Sequence, residues 1–222
     1  MKLGYRCLLL IILLGSQGCF EVVEQINMHL NGTGDIVLTA NFSQSKTKLN
    51  GIMKMKTING RQVPTKQTIT NKLKEIQTSA ANTIGITNAN LSSDFENYIF
   101  TFSCNFSKIE QLNTVIKNIA ESQKSKAKIS EKIYSYQLPN LTFNRFNKYN
   151  VKKDYQKMSN ADKEIFATAN YTAIYKFDTP ITSLSNTDAS LSASKKACML
   201  KQNVLAVILE KKSIENTITL KK

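Results

Sequence analysis

Tryptophan is absent from this 222-residue chain, histidine occurs once and proline only three times. No H-E-x-x-H, G-x-S-x-G, G-x-x-x-x-G-K or paired C-x-x-C pattern occurs. The one histidine, His29, has no cysteine or carboxylate at ligand spacing, and the acidic residues are scattered singly near turns and helix starts. We therefore predict no metal, no cofactor and no enzymatic activity. A hydrolase that uses two of the scattered carboxylates is the alternative left open.

Arginine is scarce as well, although the formal net charge is +14. Beyond the first 20 residues the arginines are Arg61 and Arg145, so the basic excess consists of lysine. Nucleic-acid recognition relies on the bidentate contacts of arginine, so we expect no nucleic-acid partner. Anionic lipid, glycolipid or acidic glycan is the better match for such a charge. The alternative is a solvated lysine surface without a partner.

The first 19 residues have the order of a bacterial lipoprotein signal. Lys2 and Arg6 precede the apolar run 8–14, and small residues lead to Cys19. The run is about a third of the ~20 residues that cross a bilayer. We predict a signal peptide over 1–18 and a mature chain, 19–222, that forms one domain and is acylated, with palmitate among its chains, at Cys19. Ser16 and Gly18 also satisfy the small-x-small rule of ordinary signal peptidase, so plain secretion stays open.

The mature chain concentrates its positive charge in its second half. The leader holds two of the 30 basic residues and none of the 16 acidic ones, so +12 remains, and residues 121–222 carry +9 of it. Paired lysines at turns or ends are the candidate contacts with an anionic surface: Lys152, Lys153, Lys195, Lys196, Lys211 and Lys212, with Lys221 and Lys222 at the C-terminus.

Cys104 and Cys198 are the cysteines left over in the mature chain once Cys19 is acylated. Both alternate in step with apolar neighbours, so we predict that both face the core. In an oxidising compartment they can form a disulfide, and two buried free thiols are the equal alternative.

Hydrophobic periodicity predicts a strand hairpin followed by helices, twice over. Residues 22–30 and 36–42 alternate around an Asn-Gly-Thr-Gly turn, and a helix follows Thr65. A second hairpin ends in an aromatic stripe from Tyr98 to Phe106, which we interpret as core, and Ser107 to Glu110 form a capping box for the next helix. The unit N-F-S…L-N-x-[IV]-[MI]-K occurs at both hairpin ends, which suggests an internal repeat.

The remaining chain predicts mostly strands. Strands are expected at 133–137, 141–146, 171–177 and 214–220, with a hairpin around 194–196 and a short helix at 203–211. A charged stretch, 148–163, is predicted as a solvent-facing loop or short helix. Short connections between strands indicate an α+β fold, a mostly antiparallel sheet with helices on one face, built from hairpin-helix units.

Four segments carry a resemblance to uncharacterised lipoproteins of Bacteroidota. They are F-E-V-V-E-Q-I-N at 20–27, N-G-T-G at 31–34, S-Q-S-K-T-K-L at 43–49 and Y-K-F-x-x-P-I-x-S-x-S-N at 175–186. The order of elements more distantly resembles the extracytoplasmic domain of LppM-type lipoproteins. That resemblance implies an α+β fold for which lipid or glycolipid contact is plausible, and it supplies no catalytic residues.

These observations predict a non-enzymatic lipoprotein of the cell envelope, anchored in the outer membrane through Cys19 and interacting with another envelope component. A lipid or glycolipid carrier, whose sheet and helices enclose an apolar cavity, is the alternative. An apolar cavity that opens to solvent favours the carrier, and a pocket with two facing carboxylates favours the hydrolase.

Overall fold

A seven-stranded sheet and a four-stranded sheet organise this chain, whose computed structural model describes residues 20–58, 60–122, 132–147 and 151–222. The fold is α+β with mostly antiparallel sheets, as predicted. The strands are β1 Glu21–Met28, β2 Gly34–Asn41, β3 Thr57–Ile58, β4 Arg61–Gln62, β5 Ile86–Asp94, β6 Ile99–Phe106, β7 Tyr134–Gln137, β8 Thr142–Arg145, β9 Asn170–Phe177, β10 Ile181–Leu184, β11 Ser190–Leu191, β12 Ala197–Asn203 and β13 Asn216–Leu220. The α-helices are α1 Lys46–Ile52, α2 Lys66–Ala81, α3 Gln111–Ser122, α4 Lys152–Gln156, α5 Asn160–Ala167 and α6 Val204–Ile208.

The large sheet has the strand order β11-β12-β9-β1-β2-β6-β5. Its centre is β1, which pairs antiparallel with β2 and parallel with β9. The parallel pair brings the first described strand beside a strand from the last quarter of the chain. The smaller sheet has the order β10-β13-β8-β7, and β3 and β4 form a separate hairpin.

The inner face of the large sheet is read directly from its register. One row across it consists of Cys104, Ile36, Ile26, Tyr175 and Cys198, paired in that order. All five side chains are buried. Residues two positions away along each strand share the same face because the strand period is two.

Two different layers cover this inner face. Helix α2 packs against β5, and α3 lies beside α2. The small sheet covers the other half, where the ring of Phe143 lies 5.0 Å from that of Tyr175 and 5.8 Å from that of Phe177, centroid to centroid. The sequence predicted the helical layer and the strands β7, β8 and β13 of the small sheet, but neither β10 nor the separation of these strands into a second sheet.

The helix starts follow from side-chain caps. Thr65 caps α2 as expected, since its side chain accepts a hydrogen bond from the Thr68 amide at 3.1 Å. The predicted capping box of Ser107 and Glu110 is wrong: Gln111 Oε1, not Glu110, accepts from the Ser107 and Lys108 amides at 3.0 Å, and Ser107 Oγ accepts from Gln111 Nε2 at 2.9 Å. Glu110 is occupied elsewhere, because its Oε1 accepts from the Tyr136 amide at 2.8 Å.

Two glycines of the predicted first turn serve different purposes. Gly32 has a φ of +90°, which side chains with a Cβ rarely adopt. Gly34 starts β2, and a Cβ there would lie 2.1 Å from the Asn27 carbonyl oxygen and 2.7 Å from the ring of Phe106. The bare backbone of Gly34 therefore lets Phe106 pack across the hairpin.

Candidate functional site: an apolar cavity beside a buried ion pair

A cavity of about 560 Å³ lies between the inner face of the large sheet and helices α2 and α3. Strands β2, β5 and β6 form its floor, the two helices form its roof, and the small sheet closes one side. Its lining is almost wholly apolar: Ile36, Leu38, Ala40, Leu73, Ile76, Leu91, Phe100, Phe102, Leu112, Val115, Ile116, Ile119, Ala120 and Ile133, with Glu24, Thr101, Tyr134 and Arg145 as the polar members.

The burial of the lining residues shows where the cavity opens. Ile36, Leu112 and Val115 are buried, whereas Ala40 and Phe100 are only half-buried. Ala40 pairs with Val22 near the start of β1, so the more accessible residues lie toward the end of the sheet where the described chain begins. Leu38 remains 38% exposed although it lies on the inner face. Within the described residues, the cavity therefore opens at that end of the sheet.

Glu24 is the unexpected residue of the inner face. It lies between Val22 and Ile26 on the central strand, and it is 3% exposed. Its Oε1 accepts a hydrogen bond from the Tyr175 hydroxyl at 2.7 Å, and its Oε2 accepts one from the Tyr171 hydroxyl at 2.8 Å. A buried carboxylate needs such partners, because desolvation otherwise makes its charge costly.

Arg145 supplies the compensating charge from the small sheet. Its Nε lies 3.4 Å from Glu24 Oε1, and its guanidinium carbon lies 5.0 Å from the ring centroid of Tyr134. Its Nη1 donates to the carbonyl oxygen of Phe146, while the Nε–H has no hydrogen-bond acceptor among the described residues. Burial lowers the pKa of Arg145, but Glu24 and the surrounding tyrosines outweigh it, and the pKa is well above its usual value. The Arg145 guanidinium therefore stays charged, and it lies against the Glu24 carboxyl group at the inner part of the cavity.

Sequence reasoning missed this pair although both residues carry a signal. Glu24 follows the strict alternation that places Val22 and Ile26 in the core, so a charge stands at a core position of a strand. Arg145 is one of two arginines beyond the first 20 residues, where the other basic residues are lysines. A buried charge on one strand together with a rare arginine on another predicts an ion pair.

The cavity lacks a second carboxylate. Glu24 is the one acidic residue among the described residues that line it. Elsewhere in the described ranges, no group of three or more His, Cys, Asp or Glu side chains is placed to hold a metal. His29 is exposed and lies 3.2 Å from Asp178, a carboxylate that is distant in sequence. The arrangement suits binding of an apolar molecule rather than acid-base chemistry.

The aromatic stripe from Tyr98 to Phe106 has two roles. Tyr98 and Phe106 are buried, as predicted for core residues. Phe100 and Phe102 are half-buried and form part of the cavity wall. The middle of the stripe is therefore partly accessible from the cavity as well as packed.

Cys104 and Cys198 are both buried, as predicted, and both are free thiols. They lie in one row of the large sheet with β2, β1 and β9 between their strands. Four strand spacings of about 4.8 Å place them about 19 Å apart. A disulfide needs Cα atoms within about 7 Å, so the disulfide alternative is wrong and the free-thiol alternative is correct.

The six candidate lysines form two groups at opposite ends of β12. Lys195 and Lys196 precede the strand, while the other four lie beyond its far end, about 23 Å away at about 3.4 Å per residue. In the second group Lys152 pairs with Glu210 at 3.1 Å and Lys212 with Asp188 at 2.8 Å. Lys153 and Lys211 are exposed. Contact between these lysines and an anionic surface stays a prediction.

Cys19 and the predicted signal peptide lie outside the described residues, so acylation and cleavage stay predictions. In the ranges that are described, the helices are all too short or too polar to cross a bilayer.

Comparison with solved structures gives a weak structural similarity to a lipoprotein domain. No protein-family profile matches the chain, and no curated protein matches its sequence. The NMR structure of the folded domain of the Mycobacterium tuberculosis LppM protein matches with a TM-score of 0.38 and 12% identity, covering 92% of this chain and 90% of that one. The predicted resemblance to lipoproteins of Bacteroidota stays a prediction.

Proposed function

We propose that this chain is a non-enzymatic lipoprotein of the cell envelope whose domain binds the acyl chain of a lipid. The observation that carries the proposal is the apolar cavity of about 560 Å³. Its volume lies within the ~300–1,000 Å³ that is typical of small-molecule sites. Each methylene that leaves water for such a site contributes about 0.8 kcal/mol, so an acyl chain is a suitable occupant.

The polar members of the lining support a hydrocarbon occupant. Glu24 and Arg145 neutralise each other, and both carboxylate oxygens of Glu24 already accept tyrosine hydrogen bonds. A charged headgroup would have to compete with this set at the inner part of the cavity. The headgroup of the lipid is therefore placed at the open end and the tail inside.

The predicted anchor supports the same orientation. Cys19 precedes Phe20, and β1 starts at Glu21, at the end of the sheet where the cavity opens. An acylated Cys19 in the outer membrane would hold the opening close to the leaflet that supplies the lipid. The exposed lysines beyond the far end of β12, Lys153 and Lys211, lie at this end of the sheet and would then contribute about 1 kcal/mol per cation near anionic lipid or glycolipid headgroups.

A fluorescent fatty acid tests the cavity. The full chain carrying Cys19→Ala is titrated with cis-parinaric acid, whose emission rises in an apolar site, and saturable binding is expected. Ala120→Trp fills the lining at α3, and Ala193→Trp, on an exposed hairpin loop, is the matched control. The indole of Ala120→Trp removes room for about two methylenes of the ligand, so this variant is expected to bind about tenfold or more weakly. Ala193→Trp is expected to bind as the parent protein does. Absence of saturable binding, or equal binding by both variants, contradicts the proposal.

A further inference from the structure

The segment between β2 and the first turn of α2 has an unusual charge. Residues 42–68, here called the connecting segment, contain six basic side chains and no acidic one: Lys46, Lys48, Lys54, Lys56, Arg61 and Lys66. The segment includes the short helix α1 and the β3–β4 hairpin. The segment lies within residues 36–74, the longest run of the sequence without an acidic residue.

The connecting segment also leaves its apolar side chains uncovered. None of its described residues is buried. Met55 is 52% exposed and Ile58 is 38% exposed. Leu49 and Ile52 of α1 are half-buried, although a helix packed on a core buries such residues. An element that is both cationic and apolar on its surface has the composition of interfacial membrane-binding segments.

Polar contacts hold the connecting segment to the domain without covering it. The Tyr98 hydroxyl donates to Asn50 Oδ1 at 2.7 Å, and Lys46 Nζ donates to Asn97 Oδ1 at 3.2 Å. Arg61 Nη1 lies 3.7 Å from Asp162. Two acidic residues thus face the segment, since Glu96 also lies 4.0 Å from Lys46.

Three lysines remain for a partner. Lys48, Lys54 and Lys56 are exposed and have no ion pair with any described residue. Lys66 lies over the ring of Phe95, with its Nζ 5.8 Å from the centroid.

The position of the connecting segment points to lipid as its partner. The segment leaves β2 at Asn41, which pairs with Glu21 at the start of β1. The ring of Phe42 lies 5.3 Å from that of Phe20, the first described residue, and 6.3 Å from that of Phe100 in the cavity wall. One end of the domain therefore carries the start of the described chain, the opening of the cavity and the connecting segment. Two more exposed apolar residues lie near this end, Val151 immediately before α4 and Ile165 of α5, since Phe166 of α5 contacts both Phe20 and Tyr155 of α4.

We infer that the connecting segment docks against an anionic lipid leaflet, with its lysines among the phosphates and Met55 and Ile58 in the interfacial region. This surface differs from the lysine pairs predicted in the second half of the chain. It also goes beyond the proposed function, because docking requires neither an acyl chain in the cavity nor an acylated Cys19. Its consequence is an orientation in which the cavity faces the membrane.

The absence of tryptophan allows a site-specific test. Met55→Trp and Leu138→Trp each introduce the one tryptophan of the chain, and the native residues are 52% and 54% exposed. Leu138 lies in the β7–β8 turn, next to Tyr136, whose hydroxyl donates to the Leu30 carbonyl at the opposite end of the sheet. Both variants are made in the full chain carrying Cys19→Ala and are mixed with phosphatidylglycerol or phosphatidylcholine vesicles that contain brominated acyl chains.

The expected result is bromine quenching of the tryptophan emission of Met55→Trp by phosphatidylglycerol vesicles at low salt, and little quenching in Leu138→Trp. Equal quenching in both variants, or none in Met55→Trp, overturns the inference. A blue shift of the Met55→Trp emission that depends on protein concentration and needs no vesicles also overturns it, because it identifies a second copy as the partner.

Two charge variants of equal net change identify the contact surface. Lys54→Glu/Lys56→Glu removes two cations of the connecting segment, and Lys195→Glu/Lys196→Glu removes two exposed cations at the other end of the sheet. The first is expected to weaken vesicle binding by about tenfold or more and the second by much less. Equal loss in both overturns the inference. Parinaric-acid binding is expected to be unchanged in both, so this result is separable from failure of the cavity proposal.

Discussion

Arg145 of β8 lies 3.4 Å from Glu24 of β1 and joins the two sheets through an ion pair that excludes solvent. Their side chains are 8% and 4% exposed, respectively. A buried pair of this kind adds little compared with apolar residues of similar volume, but removal of one partner leaves a charge without compensation. The pair therefore fixes how the small sheet sits on the large one.

Arg145→Met is expected to lower the free energy of unfolding by about 3–5 kcal/mol, because Glu24 then loses its buried ion-pair partner. Glu24→Gln/Arg145→Met removes both members of the pair and keeps a hydrogen-bonding side chain for the Tyr171 and Tyr175 hydroxyls, so it is expected to recover most of this loss. Urea unfolding of the single and double variants measures both values. If the two single effects simply add in the double variant, the residues do not interact as described.

Cys104 and Cys198 are expected to be unreactive thiols. Burial, with a smaller contribution from Asp35, raises the pKa of Cys104 to about 11, and burial raises the pKa of Cys198 to about 12. Neither forms thiolate at neutral pH, and the thiolate is the reactive species.

The test uses the chain carrying Cys7→Ala and Cys19→Ala, in which these two are the remaining cysteines. A thiol reagent at pH 8 should label neither in the folded protein and both in urea. Absence of labelling in urea without reductant would instead indicate a disulfide.

Stability is expected to fall as pH rises above 10. Burial first, and Glu24 second, raise the pKa of Tyr134 and Tyr175 well above the usual 10.0. Because these pKa values are higher in the folded state than in the unfolded state, the folded protein keeps the hydroxyl protons at a pH where the unfolded chain has lost them. The corresponding stabilisation is complete below pH 10 and is lost as pH rises above it.

The check is to measure tyrosinate absorbance and the free energy of unfolding over the same range of pH. Tyr175→Phe removes one of these protons, so its loss of stability above pH 10 should be shallower than that of the parent protein. At neutral pH the same variant costs about 1–3 kcal/mol, because Glu24 Oε1 loses a hydrogen bond. Ionisation of all eight tyrosines at their ordinary pKa without unfolding would contradict the buried hydrogen bonds.

Cys19→Ala is expected to release the protein from membranes, because Cys19 is the cysteine at the predicted cleavage site. Cys7→Ala, in the predicted leader, is the matched control and should leave fractionation unchanged. The measurement is the distribution of the protein between membrane and soluble fractions. A Cys19→Ala protein that stays with membranes after a high-salt wash contradicts the anchor.

Local sequence patterns predicted most helices and strands of this fold. They did not predict which strands pair when the strands are distant in sequence. Alternation identified β1 and β9, the Thr65 cap began α2, and Asn203 began α6. Nothing local indicates that β1 and β9 are parallel neighbours, since each strand is compatible with several partners. The small sheet escaped prediction for the same reason.

The candidate site was predictable only in part. Period-two apolar residues such as Phe100 and Phe102 indicated a buried face, but a cavity depends on how far helices stand above a sheet, which periodicity does not encode. Glu24 and Arg145 are each unusual in the sequence, Glu24 as a charge at a core position of a strand and Arg145 as a rare arginine. The separation of Cys104 from Cys198 required the strand order, because two core-facing cysteines look alike whether they are adjacent or four strands apart.

The parallel pair at the centre of the large sheet also determines when the protein can fold. Tyr175 and Glu24 are 151 residues apart in sequence, and β1 has no second neighbour until β9 is available. High contact order of this kind slows folding. As the chain emerges from its N-terminus, β1 and β2 expose an apolar face and an unpaired strand edge until about four-fifths of the chain is available. The large sheet is thus completed only late in synthesis, and the unpaired edge of β1 is open to contacts with other chains until then.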